Sequence, residues 1–292
     1  MNAPDEFFAY LCTVRARNTA IAYSSAALKF DKFSRYREVD LASPPPGLFE
    51  DFVSFLLRRG ASPATIHLTV TGVRGYLKWR RTRGEEIPKF EPPKIPSIRH
   101  RSPDALSEDD RASYMKLAST LSEPSRTVLL LLPLCGLRCS EMVDMQLENV
   151  EHVEREQGKS RYNFKVVNGK GEKDREVPLL LEASPILNSY ILGWRGEEGE
   201  SPWLFPSTMR GRDHVAPATI QKTMRRIRGK LRLPRLTPHT LRRTFATSLD
   251  RAGVGPFRIA QIMGHESVQT TYRHYIGRSR DDVCDALDSA DV

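Results

Sequence analysis

Cysteine is scarce in this chain: four in 292 residues, at positions 12, 135, 139 and 284. Scattered in this way they form no framework that would staple a small secreted fold. Cys135 and Cys139 share a face if one helix runs through both, but no second ligand pair lies nearby, so no metal site is expected. Free buried thiols in a reducing compartment are the expectation. Long hydrophobic runs are missing as well. The longest, VLLLLPLCGL at residues 128–137, is too short for a bilayer span, which needs about 20 residues, and reads as a buried helix. The opening MNAPDEFFAY has no basic segment leading into an apolar stretch, so no secretory signal is expected. There is no internal repeat and no low-complexity tract. Acidic residues are in deficit, 36 against 45 Lys and Arg, for a net charge of +9. A surplus of that size suggests a polyanionic partner, provided it is clustered and not spread over a solvated face.

What is present is enough for cores. Hydrophobic residues make up 39% and charged residues 28%, a soluble globular composition, and the length is that of two domains. Residues 5–85 read as helical throughout. RARNTAIAYSSAALKFDKFSRYR has Ile21, Ala22, Ala26, Leu28, Phe30 and Phe33 near helical spacing, with Asn18 or Thr19 as its cap. Pro44 to Pro46 break the chain, and a helix with Phe49, Phe52, Val53, Phe55 and Leu56 then runs to Gly60. Ser62 and Pro63 start another, whose second half, Lys78, Arg80, Arg81 and Arg83, is basic around Trp79. Five prolines between residues 88 and 103 mark a linker. The division expected is a helical domain at 1–90, a linker at 91–104 and a second domain at 105–292. Ser107 and Asp110 open that domain with a capping pattern. Residues 160–181 read as a β-hairpin with Gly169, Lys170 and Gly171 at its tip. The fold class expected is mainly α with a small β-hairpin or sheet, α+β.

Four stretches carry residues able to do chemistry. In CGLRCSEMVDM, Gly136 would let backbone approach a ligand, and Glu141 can hold the Arg138 guanidinium by a charge-assisted pair. An ordinary surface ion pair is the plain alternative. Lys170 is either a solvated turn lysine or a general acid whose pKa is lowered by cationic neighbours. In LTPHTLRRTFATSLDR, Thr237 and Pro238 read as N-cap and first helical residue, which puts His239 and Arg242 on one face at a helix N-terminus. Arg243 is rotated away, towards a surface or backbone-contact role. The last stretch is IMGHESVQTTYRHYIGRSR, residues 262–280. Here His265 follows a helix end, and Tyr272 and Tyr275 stand among basic residues. With a reference pKa of about 10, a tyrosine needs help to act as a nucleophile.

Taken in order, Gly-Leu-Arg-x-Ser-Glu, the hairpin Gly-Lys-Gly, His-x-Leu-Arg-x-Thr, Gly-His and a following Tyr resemble the catalytic domain of the tyrosine recombinases, the phage integrase family. The resemblance covers residues from about 105 to 280, and the N-terminal part looks more loosely like that family's core-binding domain. It implies a C-shaped two-domain DNA clamp with the catalytic domain at 105–292. It also implies attack by a tyrosine on the scissile phosphate, giving a 3′-phosphotyrosyl link and a free 5′-hydroxyl, then strand exchange through a Holliday junction. Arg138 and Arg242 would hold the non-bridging oxygens, and His239 would take the tyrosine proton or hold the phosphate. His265 would donate to a phosphate oxygen, Lys170 would protonate the leaving oxygen, and Glu141 would orient Arg138. The family's nucleophile lies nine or ten residues after the equivalent His and behind a Thr-Thr pair. Tyr275, ten after His265, fits that pattern; Tyr272 does not and becomes a packing residue.

No metal and no ATP are expected, since the covalent link keeps the bond energy. Duplex DNA is the expected partner. Lys78, Arg80, Arg81 and Arg83 would contact it from the first domain, and Arg225, Arg226, Arg228 and Arg243 from the second. The acidic tail RDDVCDALDSADV would be exchanged between subunits of a tetramer on DNA. A cytoplasmic, nucleoid-associated enzyme with no membrane contact is implied, of short, Xer-like architecture without a preceding arm-binding domain. Two other readings stay open: a catalytically inactive DNA-binding accessory protein of the same fold, and a monomeric enzyme resembling type IB topoisomerases.

Overall fold

The structure is a computed structural model that describes residues 3–89, 105–154, 160–167, 174–196 and 200–265. Lys170, Tyr272, Tyr275, the linker prolines from Pro92 to Pro103 and the acidic tail lie outside the described residues. The chain divides into two compact units, Met1–His100 and Arg101–Val292.

The first unit is built from α1 (Ala3–Val14), α2 (Arg17–Tyr36), α3 (Leu48–Arg58) and α4 (Pro63–Thr82). Ser62 Oγ accepts from the Thr65 N–H at 3.2 Å and Pro63 takes the first helical position, as the sequence suggests. The start of α2 differs from expectation. Its N-cap is Ala16, without a side-chain cap, and Asn18 and Thr19 lie inside the helix. The Ala16 carbonyl receives the Thr19 and Ala20 N–H groups directly, at 2.9 and 3.0 Å. The buried face of α2 is also not quite the expected one. Ala20, Ala26, Ala27, Phe30 and Phe33 face the core while Ile21 and Leu28 are exposed. The small residues are selected by close helix contact: a Cβ on Gly72 of α4 would lie 2.8 Å from the Ala26 Cβ.

Aromatic rings fill the rest of this core. Phe30 packs edge-on against Phe52 at 5.1 Å, and Trp79 lies 5.4 Å from Phe7. Trp79, set among charges in sequence, is thus a core residue. Burying an aromatic side chain of this kind stabilises by about 1.5–3 kcal/mol.

The second unit runs α5 (Glu108–Ala118), α6 (Ser125–Cys135), α7 (Cys139–Val143), β1 (Val150–Glu154), β2 (Ser160–Val166), β3 (Arg175–Pro178), α8 (Ala183–Tyr190), α9 (Pro217–Leu231), α10 (Pro238–Arg251) and α11 (Pro256–Met263). The apolar run forms α6, buried continuously from Thr127 to Cys135. Gly136 ends it in the left-handed region at φ 64°, so Cys135 closes one helix and Cys139 opens another, and no single helix face carries both. Burial pushes the Cys135 thiol up to about 12 and the Cys139 thiol to about 11. Cys12, expected to be buried, is exposed.

The hairpin strands β2 and β3 pair antiparallel, and a third strand, β1, joins them in the order β1-β2-β3 with Val150 opposite Phe164. β1 is not legible in the sequence. Its segment VEHVE leaves Glu151, His152 and Glu154 exposed at a sheet edge, so it lacks the apolar alternation that marks a half-buried strand. No helix among the described residues is long and apolar enough to cross a membrane.

Candidate active site

Four segments far apart in sequence meet beside the C-terminal end of α6. Gly136 makes the meeting possible. At its positive φ, a Cβ would sit 2.2 Å from the Phe245 ring, so the residue is glycine to admit an α10 side chain. The close approach seen at Gly136 is to the protein's own core. Its carbonyl then accepts from Arg242 Nη1 at 2.7 Å.

Arg138 is the N-cap of α7. Glu141, three residues on, accepts from the Arg138 backbone N–H at 2.8 Å and from its guanidinium at 2.5 Å. One carboxylate thereby fixes both ends of the residue. The Arg138 guanidinium also donates to the Gly264 carbonyl at 3.3 Å and keeps about 30% of its side chain exposed. A guanidinium carries five N–H donors, so these bonds orient it without exhausting it.

Arg242 lies on α10, which starts as the sequence suggests: Thr237 Oγ1 accepts from the Thr240 N–H at 3.1 Å and Pro238 follows. The Arg242 side chain is only 3% exposed. Besides Gly136 it donates to the Met263 carbonyl, and its Nη2 stands 3.4 Å from His265 Nε2. His265 reaches this position because α11 stops at Gly264, in the left-handed region at φ 64°.

Glu141 is the charge at the centre. Besides Arg138 it accepts from Arg175 Nη2 at 2.7 Å, and Arg242 Nη1 lies 3.8 Å away. Burial alone would raise its carboxyl, but the Arg175 bond and charge, followed by the Arg138 N–H and charge, outweigh burial and hold it at about 2. Arg175 is the member of this cluster that carries no motif in the sequence. It sits in the charged run GEKDREVP, where nothing separates it from solvated neighbours. It is the first residue of β3 and only 11% exposed.

His239 is exposed. It shares with Arg138, Arg242, Arg225 and Arg228 a cleft of about 480 Å³ beside α9. An open cleft with arginines on several sides suits a tetrahedral oxyanion, because guanidinium forks match paired oxygens. Arg226 is exposed and Arg243 half-buried; neither lines this cleft.

The basic residues of α4 behave differently from one another. Lys78 is exposed and lines a shallow cavity with Arg74, Arg81 and Lys89. Arg80 forms a bidentate pair with Glu85 and lies over the Tyr76 ring at 5.5 Å. Arg81 donates to the Pro88 carbonyl at 2.9 Å. Arg83 lies over Trp79 at 5.2 Å and 3.4 Å from Glu6.

The second unit thus gathers three arginines and a histidine from distant segments at one carboxylate and its neighbours. Among known proteins, the model described as "Phage integrase family" matches residues 104–281. The tyrosine recombinase XerA of Pyrococcus horikoshii is 30% identical over 222 residues, which is 75% of this chain and 72% of that protein. XerD of Pseudomonas putida is 30% identical over 272 residues, 88% of this chain and 86% of the other. A solved structure of the XerH site-specific recombinase, bound to palindromic difH substrate in a post-cleavage complex, shares the fold with a TM-score of 0.70 at 20% identity, over 94% of this chain and 80% of that one. The chain belongs to the phage integrase family, and as such is a tyrosine recombinase.

Proposed function

We propose that the protein is a site-specific DNA recombinase that cleaves and rejoins strands through a phosphotyrosyl intermediate formed by Tyr275. The observation that carries this reading is the convergence of Arg138 and Arg242 about the Glu141 carboxylate, with His265 against Arg242 and a cleft beside them that also holds His239. In this mechanism the Tyr275 oxygen forms a bond to phosphorus and the bond from phosphorus to the 5′-oxygen breaks. The tyrosine proton passes to His239. Lys170 gives a proton to the leaving oxygen. Arg138 and Arg242 balance the charge that grows on the non-bridging oxygens, the kind of preorganised stabilisation that supplies much of an enzyme's rate. His265 supports the pocket.

No metal or ATP enters this scheme, because the arginines supply the positive charge and the phosphotyrosyl bond stores the energy. Duplex DNA is the substrate, held in a clamp by the helical 1–90 domain and the catalytic domain. Four subunits exchange strands, each lending its acidic tail to a neighbour, in a cytoplasmic, nucleoid-associated setting. Relatives named as tyrosine recombinases support the recombinase reading itself.

The test is a nicked suicide duplex carrying the cognate site. A covalent protein–DNA adduct should form in the presence of EDTA, vanish in Tyr275→Phe and survive in Tyr272→Phe. The reverse pattern between the two tyrosines would move the nucleophile to Tyr272. Site binding without any adduct would favour the accessory-protein reading, and relaxation of supercoils by a monomer would favour the topoisomerase-like one.

A further inference from the structure

Arg175 has no part in the scheme above, yet its side chain touches both Glu141 and the segment that leads to His265. Its Nη1 and Nη2 donate to the two Glu141 oxygens at 3.2 and 2.7 Å, and its Nε donates to the Ile262 carbonyl at 3.0 Å. Gly264 lies flat against the same guanidinium: a Cβ there would fall 2.9 Å from the Arg175 Cζ. Glu141 in turn holds the Arg138 backbone and guanidinium. Arg175 is also the last ladder residue of the hairpin, paired with Val166, and the segment between those two residues carries Lys170. One guanidinium therefore bridges α7, β3 and the turn that delivers His265.

Arginine is the residue type this job requires. A lysine ammonium is a point donor and cannot present two parallel N–H bonds to a carboxylate and a third to a carbonyl at a fixed angle. Nor is the arrangement a surface ion pair, since Arg175 and Glu141 are about 11% and 10% exposed. Glu141 also faces two further cations, Arg138 and Arg242. Arg138 gives Glu141 its backbone N–H and one guanidinium N–H. The fork from Arg175 adds two more bonds and leaves the carboxylate with a single orientation from which Arg138 can be aimed.

We infer that Arg175 is a positioning residue for strand cleavage: through Glu141 it aims Arg138 at the scissile phosphate, and through Ile262 and Gly264 it fixes the segment that presents His265. This rests on the proposed function. Displacement of a group that holds the reacting phosphate by about 1 Å lowers rates on the order of 100-fold, and that is the loss expected here.

The test measures single-turnover cleavage of the nicked duplex by wild-type protein, Arg175→Ala, Arg175→Lys and Glu141→Gln, with site affinity and urea unfolding followed in parallel. Arg175→Lys keeps the charge and serves if Arg175→Ala does not fold. Both Arg175 variants are expected to bind the site normally and to cleave on the order of 100-fold more slowly. Combining Arg175→Lys with Glu141→Gln should add little to Glu141→Gln alone, since the two act through one path. A duplex with a methylphosphonate at the scissile position provides the discriminating arm. Its neutral phosphorus group asks less of Arg138, so the Arg175→Lys loss should shrink on it. A folding defect would lower both substrates alike. Cleavage at the wild-type rate by Arg175→Lys, equal losses on the two substrates, or losses that multiply with Glu141→Gln would each overturn the positioning role. A wild-type protein that binds its site and forms no adduct would instead sink the function itself.

Discussion

Arg80 in the first unit and Arg242 in the second are both helical arginines with ionic or polar partners, but they hold them over very different spans of chain. Arg80 binds Glu85, five residues away, at a half-exposed helix end. Arg242 is buried and binds carbonyls 106 and 21 residues away. In the first unit the basic run from Lys78 to Arg83 is dense in sequence, and its arginines are held locally, as with Arg83 over Trp79. The second unit assembles its charge from residues spread between 138 and 265. Density of charge in a sequence therefore says little about which cations are organised. Organisation comes from long-range contacts that fix a side chain in one orientation.

Removing Arg242 should separate the two kinds of arginine most sharply. Arg242→Ala is expected to raise the cleavage barrier by about 2.7–4 kcal/mol, as loss of an oxyanion donor does. It should also lower the urea midpoint, because the Gly136 and Met263 carbonyls lose their donor at about 1–3 kcal/mol each. An Arg242→Ala protein with full activity would place the arginine outside the chemistry.

The next effect is in pH. The Glu141 pKa is held at about 2 when folded, below the ordinary carboxylate value. The stability it contributes is therefore complete above the unfolded pKa, near 4.3, and is lost as pH falls towards the folded value, about 3 kcal/mol in all. Urea midpoints of wild type and Glu141→Gln should converge between those two pH values. Parallel curves would mean that the arginines do not hold the carboxylate.

A smaller contrast concerns two glycines of like backbone. Gly60 and Gly136 both follow helices with positive φ, but only Gly136 faces a neighbouring ring. Gly60→Ala should cost about 1 kcal/mol for the left-handed conformation. Gly136→Ala should add roughly 1–3 kcal/mol of overpacking. Unfolding free energies of the two variants decide it.

The smallest effect lies on α4. Lys78→Ala is expected to lower the salt slope of DNA affinity by about 1. Arg80→Ala should leave the slope nearly unchanged, because Glu85 already neutralises it, and should cost at most about 1 kcal/mol of stability. Equal slopes for the two variants would show that Arg80 turns to the DNA on binding.

Much of the fold is written in local chemistry. Ser62, Ser107 and Thr237 cap the helices that the sequence assigns to them, since a side-chain oxygen and an N–H three residues away need no tertiary partner. Features set by neighbours are less legible. The inward turn of α2 depends on how closely Gly72 approaches Ala26. The edge strand β1 exists because β2 offers it a ladder, with Glu151 opposite Asn163. In the site, Arg138, Glu141, His239, Arg242 and His265 stand out by motif, whereas Arg175 is one cation in a charged run until folding sets it against Glu141.

The sequence by itself determines which residue types are present, their helical phase and their caps, because these depend on neighbours within about four positions along the chain. It thereby determines the family of the chain and the candidates for its chemistry. Only the tertiary structure decides which charges are held and by what. Gly136 accepts from Arg242, and Glu141 stands between Arg138 and Arg175. The Gly136–Arg242 and Glu141–Arg175 contacts join residues 106 and 34 positions apart, and loop closure over such distances is directed by the burial of α6 and the rings around it.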